Sequence, residues 1–117
     1  MAHSSVGTYL RFLRRKSGLT QRELARILGS ATATQISRHE RSITPPGLLT
    51  AFGYQAVFRK PISDIFPGLY YAVEVGIEER IAAFEDEMSS SELRGLAAEP
   101  IARRLEWFYE RRNPEVA

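Results

Sequence analysis

The chain of 117 residues contains no cysteine, two histidines, two methionines and one tryptophan. Without cysteine there can be no disulfide, no thiolate metal site and no thiol catalysis, and the composition fits a reducing cytoplasm. His39 has only one other histidine to pair with, His3, in a terminus expected to be loose, so no ligand set is expected. No glycine-rich phosphate loop and no G-x-S-x-G is present. The acidic run Glu85-Asp86-Glu87 is contiguous, so on a helix its members splay apart instead of converging on a metal. Neither catalysis, nor a metal, nor a cofactor is expected. No run approaches the roughly 18 apolar residues that a membrane span requires, and no signal-peptide pattern opens the chain. Acidic residues are also scarce, but only in the first half. Residues 1–60 carry ten Lys/Arg and two Glu (10 − 2 = +8), whereas residues 61–117 carry six Arg and twelve Asp/Glu (6 − 12 = −6). That asymmetry suggests a polyanion-binding half joined to a half with another task. The length allows one domain, or a small domain with an extension.

What the chain does contain is concentrated in residues 20–40, TQRELARILGSATATQISRHE. The segment predicts two short helices joined by a tight turn. Thr20 and Glu23 form a capping box for the first. Leu24, Ala25 and Leu28 make its apolar stripe, and Ala25 is small enough for a second helix to cross close above it. Gly29 is placed to end it in a left-handed cap. Ser30, Thr32 or Thr34 can cap the second helix, whose only large aliphatic residue is Ile36. Its other side chains, among them Thr34, Gln35, Ser37, Arg38 and His39, are hydrogen-bonding or cationic. A helix anchored on one side and offering short polar groups on the other suits a DNA major groove.

These residues carry a resemblance. Leu10-x-x-Leu13-Arg14, the run Gly18-Leu19-Thr20-Gln21-x-Glu23-Leu24-Ala25, Leu28-Gly29, Ile36-Ser37-Arg38-x-Glu40-Arg41 and the ending Pro61-Ile62-Ser63-Asp64-Ile65-Phe66 are similar to the Cro/repressor-type helix-turn-helix domain, the XRE-like family of bacterial and phage DNA-binding proteins. The likeness spans residues 6–66. It implies an all-α fold, a five-helix domain over residues 1–67, and a cytoplasmic protein of a bacterium or phage. Two or three further helices are expected in residues 68–117. In that family the recognition-helix aliphatic stands six residues after the turn glycine, whereas Ile36 is seven after Gly29. One extra residue therefore lies in the turn or in the first recognition turn.

Candidate DNA contacts follow from residue chemistry. Gln21, at the start of the first motif helix, can donate to a phosphate beside the helix N–H groups, and the resemblance implies the same role. Arg22 and Arg26 lie on the outer face, where either can be a solvated charge; Arg22 is kept as a candidate. Arg38 has the planar fork for a bidentate contact to guanine or phosphate. Thr32, Thr34, Gln35 and Ser37 can read base edges, Ala33 offers apolar contact, and Arg41 closes a recognition helix over residues 32–41. Glu40 is expected to pair with a basic side chain of the first helix.

Around the motif, residues 6–17 predict a helix with Val6, Leu10 and Leu13 inward. Its last-turn Arg14, Arg15 and Lys16 suit the helix dipole or phosphate equally. After Thr44-Pro45-Pro46, Leu48, Leu49, Phe52 and Ala56 form the expected core face of a helix, with Tyr54, Val57 and Phe58 as surplus apolar groups available to the core or to a second subunit. Ile65 and Phe66 plug the core, and Pro67-Gly68 punctuate it. Residues 69–88 predict one acidic helix with Tyr70, Val73, Ile77, Ile81, Phe84 and Met88 near a heptad seam. Ser89-Ser90-Ser91-Glu92 is a second capping box, expected to begin another segment bearing Leu93, Leu96 and Ala97. Pro100 predicts a break, after which Ile101, Leu105 and Phe108 continue an apolar stripe.

The C-terminal helices carry more apolar groups than a hairpin on the first domain requires. Tyr70, Val73, Ile77, Ile81, Phe84, Leu105 and Phe108 are therefore expected at a homodimer contact, which would set two recognition helices roughly 34 Å apart on a palindromic operator. The leading expectation is a sequence-specific regulator of transcription, a repressor, on double-stranded DNA. The alternative is an antitoxin or other interaction module whose acidic helices hold a toxin or another partner protein.

Overall fold

A computed structural model describes residues 8–93 and 98–116, and every element in them is helical. The chain divides into two compact units, Met1–Val73 and Glu74–Ala117.

The first unit holds five helices: α1 (Leu10–Lys16), α2 (Gln21–Leu28), α3 (Ala33–Glu40), α4 (Leu48–Phe58) and α5 (Ile62–Ile65). Each boundary has a local cause. Gly18, at φ 76, ends α1, with Gly18 N donating to Arg15 O and Leu19 N to Arg14 O; those two bonds satisfy the last carbonyls of the helix. Thr20 and Glu23 form the expected capping box of α2, and Gly29, at φ 73, ends it. Of the three candidate caps for α3, Thr32 is used. Its hydroxyl accepts from Gln35 N (3.1 Å) while Gln35 Oε1 accepts from Thr32 N (2.8 Å). The extra residue thus sits in the link 29–32, ahead of a regular helix. Gln55 Oε1 accepts from Ile62 N (2.9 Å), bracing the turn between α4 and α5. Thr8 closes the unit: its hydroxyl donates to Ile65 O and Tyr9 N donates to the same carbonyl, joining the start of α1 to the end of α5.

Leu10, Leu13, Leu24, Ile36, Tyr54, Ile65 and Phe66 form the core, with Ala25, Leu28, Val57 and Phe58 packed against it. Two expectations are corrected here. Leu48, Leu49 and Phe52 do not face inward; they are 69%, 75% and 59% exposed, and Ala56 is exposed too. Helix α4 instead packs through Thr50, Tyr54, Val57 and Phe58, nearly half a turn away. The cause is visible at Gly53, where Leu28 Cδ2 lies 2.6 Å from the position a Cβ would occupy, and at the hydrogen bonds of Thr50 and Tyr54 described below. Helix α1 begins at Leu10, and Val6 lies outside the described residues.

Helix α6 runs from Pro67 to Leu93. Pro67 and Gly68 open it instead of marking a break, because proline is tolerated in a first helical turn. The Ser89-Ser90-Ser91-Glu92 box does not start a new element either: the backbone there already makes the bonds of α6. Helix α7 spans Ala98–Arg112, so Pro100 again sits in a first turn, and a short 3-10 segment, Pro114–Val116, follows. Leu96 and Ala97 fall outside the described residues, and so does the side chain of Leu93. Within the second unit the two helices run antiparallel, joined by Phe84 against Phe108 edge to face at 6.0 Å. Glu78 accepts from Arg111 (2.6 and 3.0 Å), and Glu85 pairs with Arg112.

Candidate nucleic-acid interface

Helix α3 owes its position to a polar clamp beneath its C-terminal end. Arg14, on the core side of α1, is buried. Its Nε and Nη2 (3.1 Å) donate to the two oxygens of Glu40, and its Nη1 donates to Leu19 O (2.9 Å). Gln21 Nε2 adds a third bond to Glu40 Oε1 at 3.1 Å. One carboxylate thereby ties α1, the start of α2 and the end of α3 together. Glu40 pairs with α1 as expected, and the hydrogen bonds to Glu40, with its charge, raise the Arg14 pKa above its ordinary value. Arg14 itself is not available to phosphate, unlike Arg15 and Lys16, which are exposed.

His39 and Tyr54 form a second buried contact under the same helix. His39 Nδ1 and Tyr54 OH are 2.7 Å apart, with the rings edge to face. Burial lowers the His39 pKa, keeping the ring neutral. Burial, and then the charge of Glu40, raises that of Tyr54 well above its ordinary range. His39 belongs to the anchoring side of α3, not to its polar face, so the helix is held by Ile36, His39 and Glu40 together. Across the turn, the hydroxyls of Ser30 and Thr50 meet at 2.9 Å.

The outward side of α3 is left with Thr34, Gln35 and Arg38, exposed, followed by exposed Arg41 at its end. Ala33 and Ser37 are half-buried beside them, and Thr32 is exposed but committed to the cap. Arg41 Nε bonds back to Ser37 Oγ (3.2 Å). Gln35 spends its carbonyl oxygen on the cap, which leaves its amide nitrogen as the donor of an exposed side chain. Gln21 and Arg22 open α2 next to the clamp, where first-turn N–H groups have no intrahelical acceptor. The candidates therefore lie along the length of α3 and at the start of α2. Arg14, His39 and Tyr54 form the support that sequence reasoning did not resolve.

A two-helix element with a cationic, hydrogen-bonding second helix on a clamped base defines a helix-turn-helix DNA-binding fold. Residues 10–65 match the helix-turn-helix family, and this segment is a domain of the XRE-like helix-turn-helix family, the DNA-binding regulatory kind. No curated protein and no solved structure gives a match. Among the described residues, no group of three or more His, Asp or Glu side chains is placed to hold a metal ion, and no helix is long and apolar enough to cross a membrane.

Along α6, Tyr70, Val73, Ile77 and Phe84 are exposed and Ile81 is half-buried. Leu105 is half-buried on α7. Phe108 is only 1% exposed, spent inside its own chain against Phe84 and Trp107. It is not available to a second subunit.

Proposed function

We propose that this protein is a sequence-specific, non-catalytic transcription regulator, a repressor, that binds a palindromic operator as a homodimer in the cytoplasm. Residues 1–67 do the reading and residues 68–117 do the pairing. The observation that carries the proposal is the exposed row Thr34, Gln35, Arg38 and Arg41 on a helix whose other side is fixed by the Arg14–Glu40–Gln21 clamp. Rigid support matters because base readout needs side chains held in one register on the duplex. Arg38 reads guanine or grips phosphate, Thr34 and Gln35 meet base edges, and Ala33 and Ser37 border the contact. Thr32 and Arg41 mark its two ends. Gln21 and Arg22 contact the phosphate backbone at the start of α2, Gln21 through its N–H group while its amide stays on Glu40. Phosphate attraction supplies much of the affinity and makes it steeply salt-dependent.

The test is selection of random duplex DNA by the purified protein, followed by sequencing. A two-fold symmetric motif is the expected result. No enrichment at low or moderate salt would sink the proposal and leave the protein-partner reading. On the selected site, Arg38→Ala is expected to weaken binding by about 1–3 kcal/mol; wild-type affinity would remove Arg38 from the contact.

For pairing, the exposed apolar row Tyr70, Val73, Ile77 and Phe84, together with the half-buried Ile81 and Leu105, is the proposed surface. Val73→Glu with Ile77→Glu is expected to give a monomer in sedimentation of the full chain. A dimer that survives this change pairs elsewhere, and the exposed Leu48, Leu49 and Phe52 of α4 become the next surface to alter.

A further inference from the structure

A groove of about 790 Å³ lies along α1, between Tyr9 and Phe12 on one side and the end of α3 on the other. The DNA-binding reading takes Arg41 from this lining for the contact and Glu40 for the clamp, and gives no role to Tyr9, Arg11 or Phe12. Its walls carry Arg11, Arg15, Lys16 and Arg41. Among the described residues none of these four cations has a carboxylate partner at ion-pair distance. The one acid in the lining, Glu40, is already engaged by Arg14 and Gln21. Between the cations the surface is apolar: the Phe12 ring is 60% exposed, Tyr9 is half exposed, and Lys16 Nζ stands 5.9 Å over the Phe12 ring.

We propose that this groove is a binding site for a small aromatic anion, such as an aromatic carboxylate. Two features point to the same class of ligand. Four unpaired cations around one acid that is already neutralised favour a negative charge. An exposed phenylalanine among them favours a ring, since stacking on Phe12 and Tyr9 gains both buried area and aromatic contact. A bare phosphate, whether free or in a DNA backbone, uses the cations but gains nothing from Phe12. The size agrees, since small-molecule sites commonly enclose roughly 300–1,000 Å³. The site stands independently of the DNA-binding proposal. Its consequence for regulation rests on that proposal: Arg41 and Glu40 also end the recognition helix, so an anion drawn to Arg41 acts on the reading element directly.

The experiment is fluorescence titration of the full chain with anilinonaphthalene sulfonate, an aromatic anion. Saturable binding at one site is expected. Phe12→Ser should weaken it about tenfold, as should the pair Arg11→Gln with Arg15→Gln. Leu49→Gln, on the exposed apolar face of α4, should leave it unchanged. Helical circular dichroism checks that each variant folds, which the exposure of all four side chains favours. The uncharged analogue N-phenylnaphthylamine should bind about tenfold more weakly, and millimolar inorganic phosphate should not displace the dye. The proposal is overturned by absence of saturable binding, by loss of binding only in Leu49→Gln, by indifference to Phe12→Ser, by equal binding of the neutral analogue, or by displacement by phosphate. Competition between the dye and the selected duplex is a separate measurement: it tests the regulatory consequence and leaves the site itself standing or falling on the titration.

Discussion

In the first unit the Arg14–Glu40 pair lies under the end of α3 with side-chain exposures of 10% and 2%, whereas in the second unit Arg111 and Glu78 stand at 32% and 54%. The residue types are the same and both pairs are bidentate. Their surroundings are not. In the buried pair, removing one partner strands the other charge away from water, while in the exposed pair water takes the place of the lost partner. A buried pair is thus a poor source of net stability but a strict condition on structure. The first unit uses that strictness where a fixed geometry matters most, at the meeting of α1, α2 and α3.

The largest effect is expected from Arg14→Ala. It leaves Glu40 without its main donors, and the unfolding free energy from denaturant titration should fall by about 3–5 kcal/mol. Arg14→Lys should recover part of this and not all, since an ammonium cannot reproduce the two-nitrogen fork. A loss no greater than that of a surface substitution would erase the contrast between the units.

A smaller effect is expected with pH. Burial holds the His39 pKa below its ordinary value of 6.5, so the unfolded chain takes up a proton before the folded one does. Stability is then full above about pH 6.5 and is lost as pH falls through that value toward the lowered folded pKa, with a slope of at most about 1.4 kcal/mol per pH unit. The groups facing His39 agree with a neutral ring: Tyr54 OH bonds Nδ1, and the neighbouring Glu40 is already held by Arg14 and Gln21. Thermal midpoints measured from about pH 7.5 down to about pH 5.5 should fall in the wild type and stay flatter in His39→Gln. Equal slopes would remove His39 as the cause. At the other end, the raised Tyr54 pKa predicts stability that falls once the pH passes its ordinary value of 10.

Much of this arrangement was legible in the sequence, for reasons that separate cleanly. Caps and turn glycines act within four residues, so Thr20-Glu23, Gly18 and Gly29 could be read directly. Thr32 was one of three candidates, and the deciding signal, Gln35 three residues on, is a capping-box pair of the same kind. Helix α4 was not legible. Residues 42–58 contain no charge at all, and apolar side chains occupy both faces of the helix, so periodicity cannot say which face is inside. The orientation is set from outside the helix, by Leu28 against Gly53 and by His39 against Tyr54. The role of Arg14 had a signal that went unused: it stands four residues after Leu10, on the apolar stripe, where a charge demands a partner. The Ser89-Glu92 box misled because a capping pattern competes with continuation of a helix and here continuation wins.

The smallest effect belongs to the second unit, and it sharpens the comparison most. Arg111 and Glu78 are bonded through both guanidinium Nη atoms, and each pairing shifts its partner's pKa toward the charged form, raising Arg111 and lowering Glu78. Geometry alone would rank this pair with Arg14–Glu40. Exposure argues otherwise, because solvent screens the attraction and two long side chains lose rotamer freedom to hold it. Arg111→Ala is therefore expected to shift the thermal midpoint far less than Arg14→Ala, and raising the salt to about 1 M should abolish what difference remains, since the screening length then falls to about 3 Å. The Arg14→Ala loss should persist at that salt. If both losses vanish together, the Arg14 pair behaves as a surface contact and the clamp beneath α3 does not set its position; if both persist, the second unit is better shielded from solvent than its exposed side chains imply.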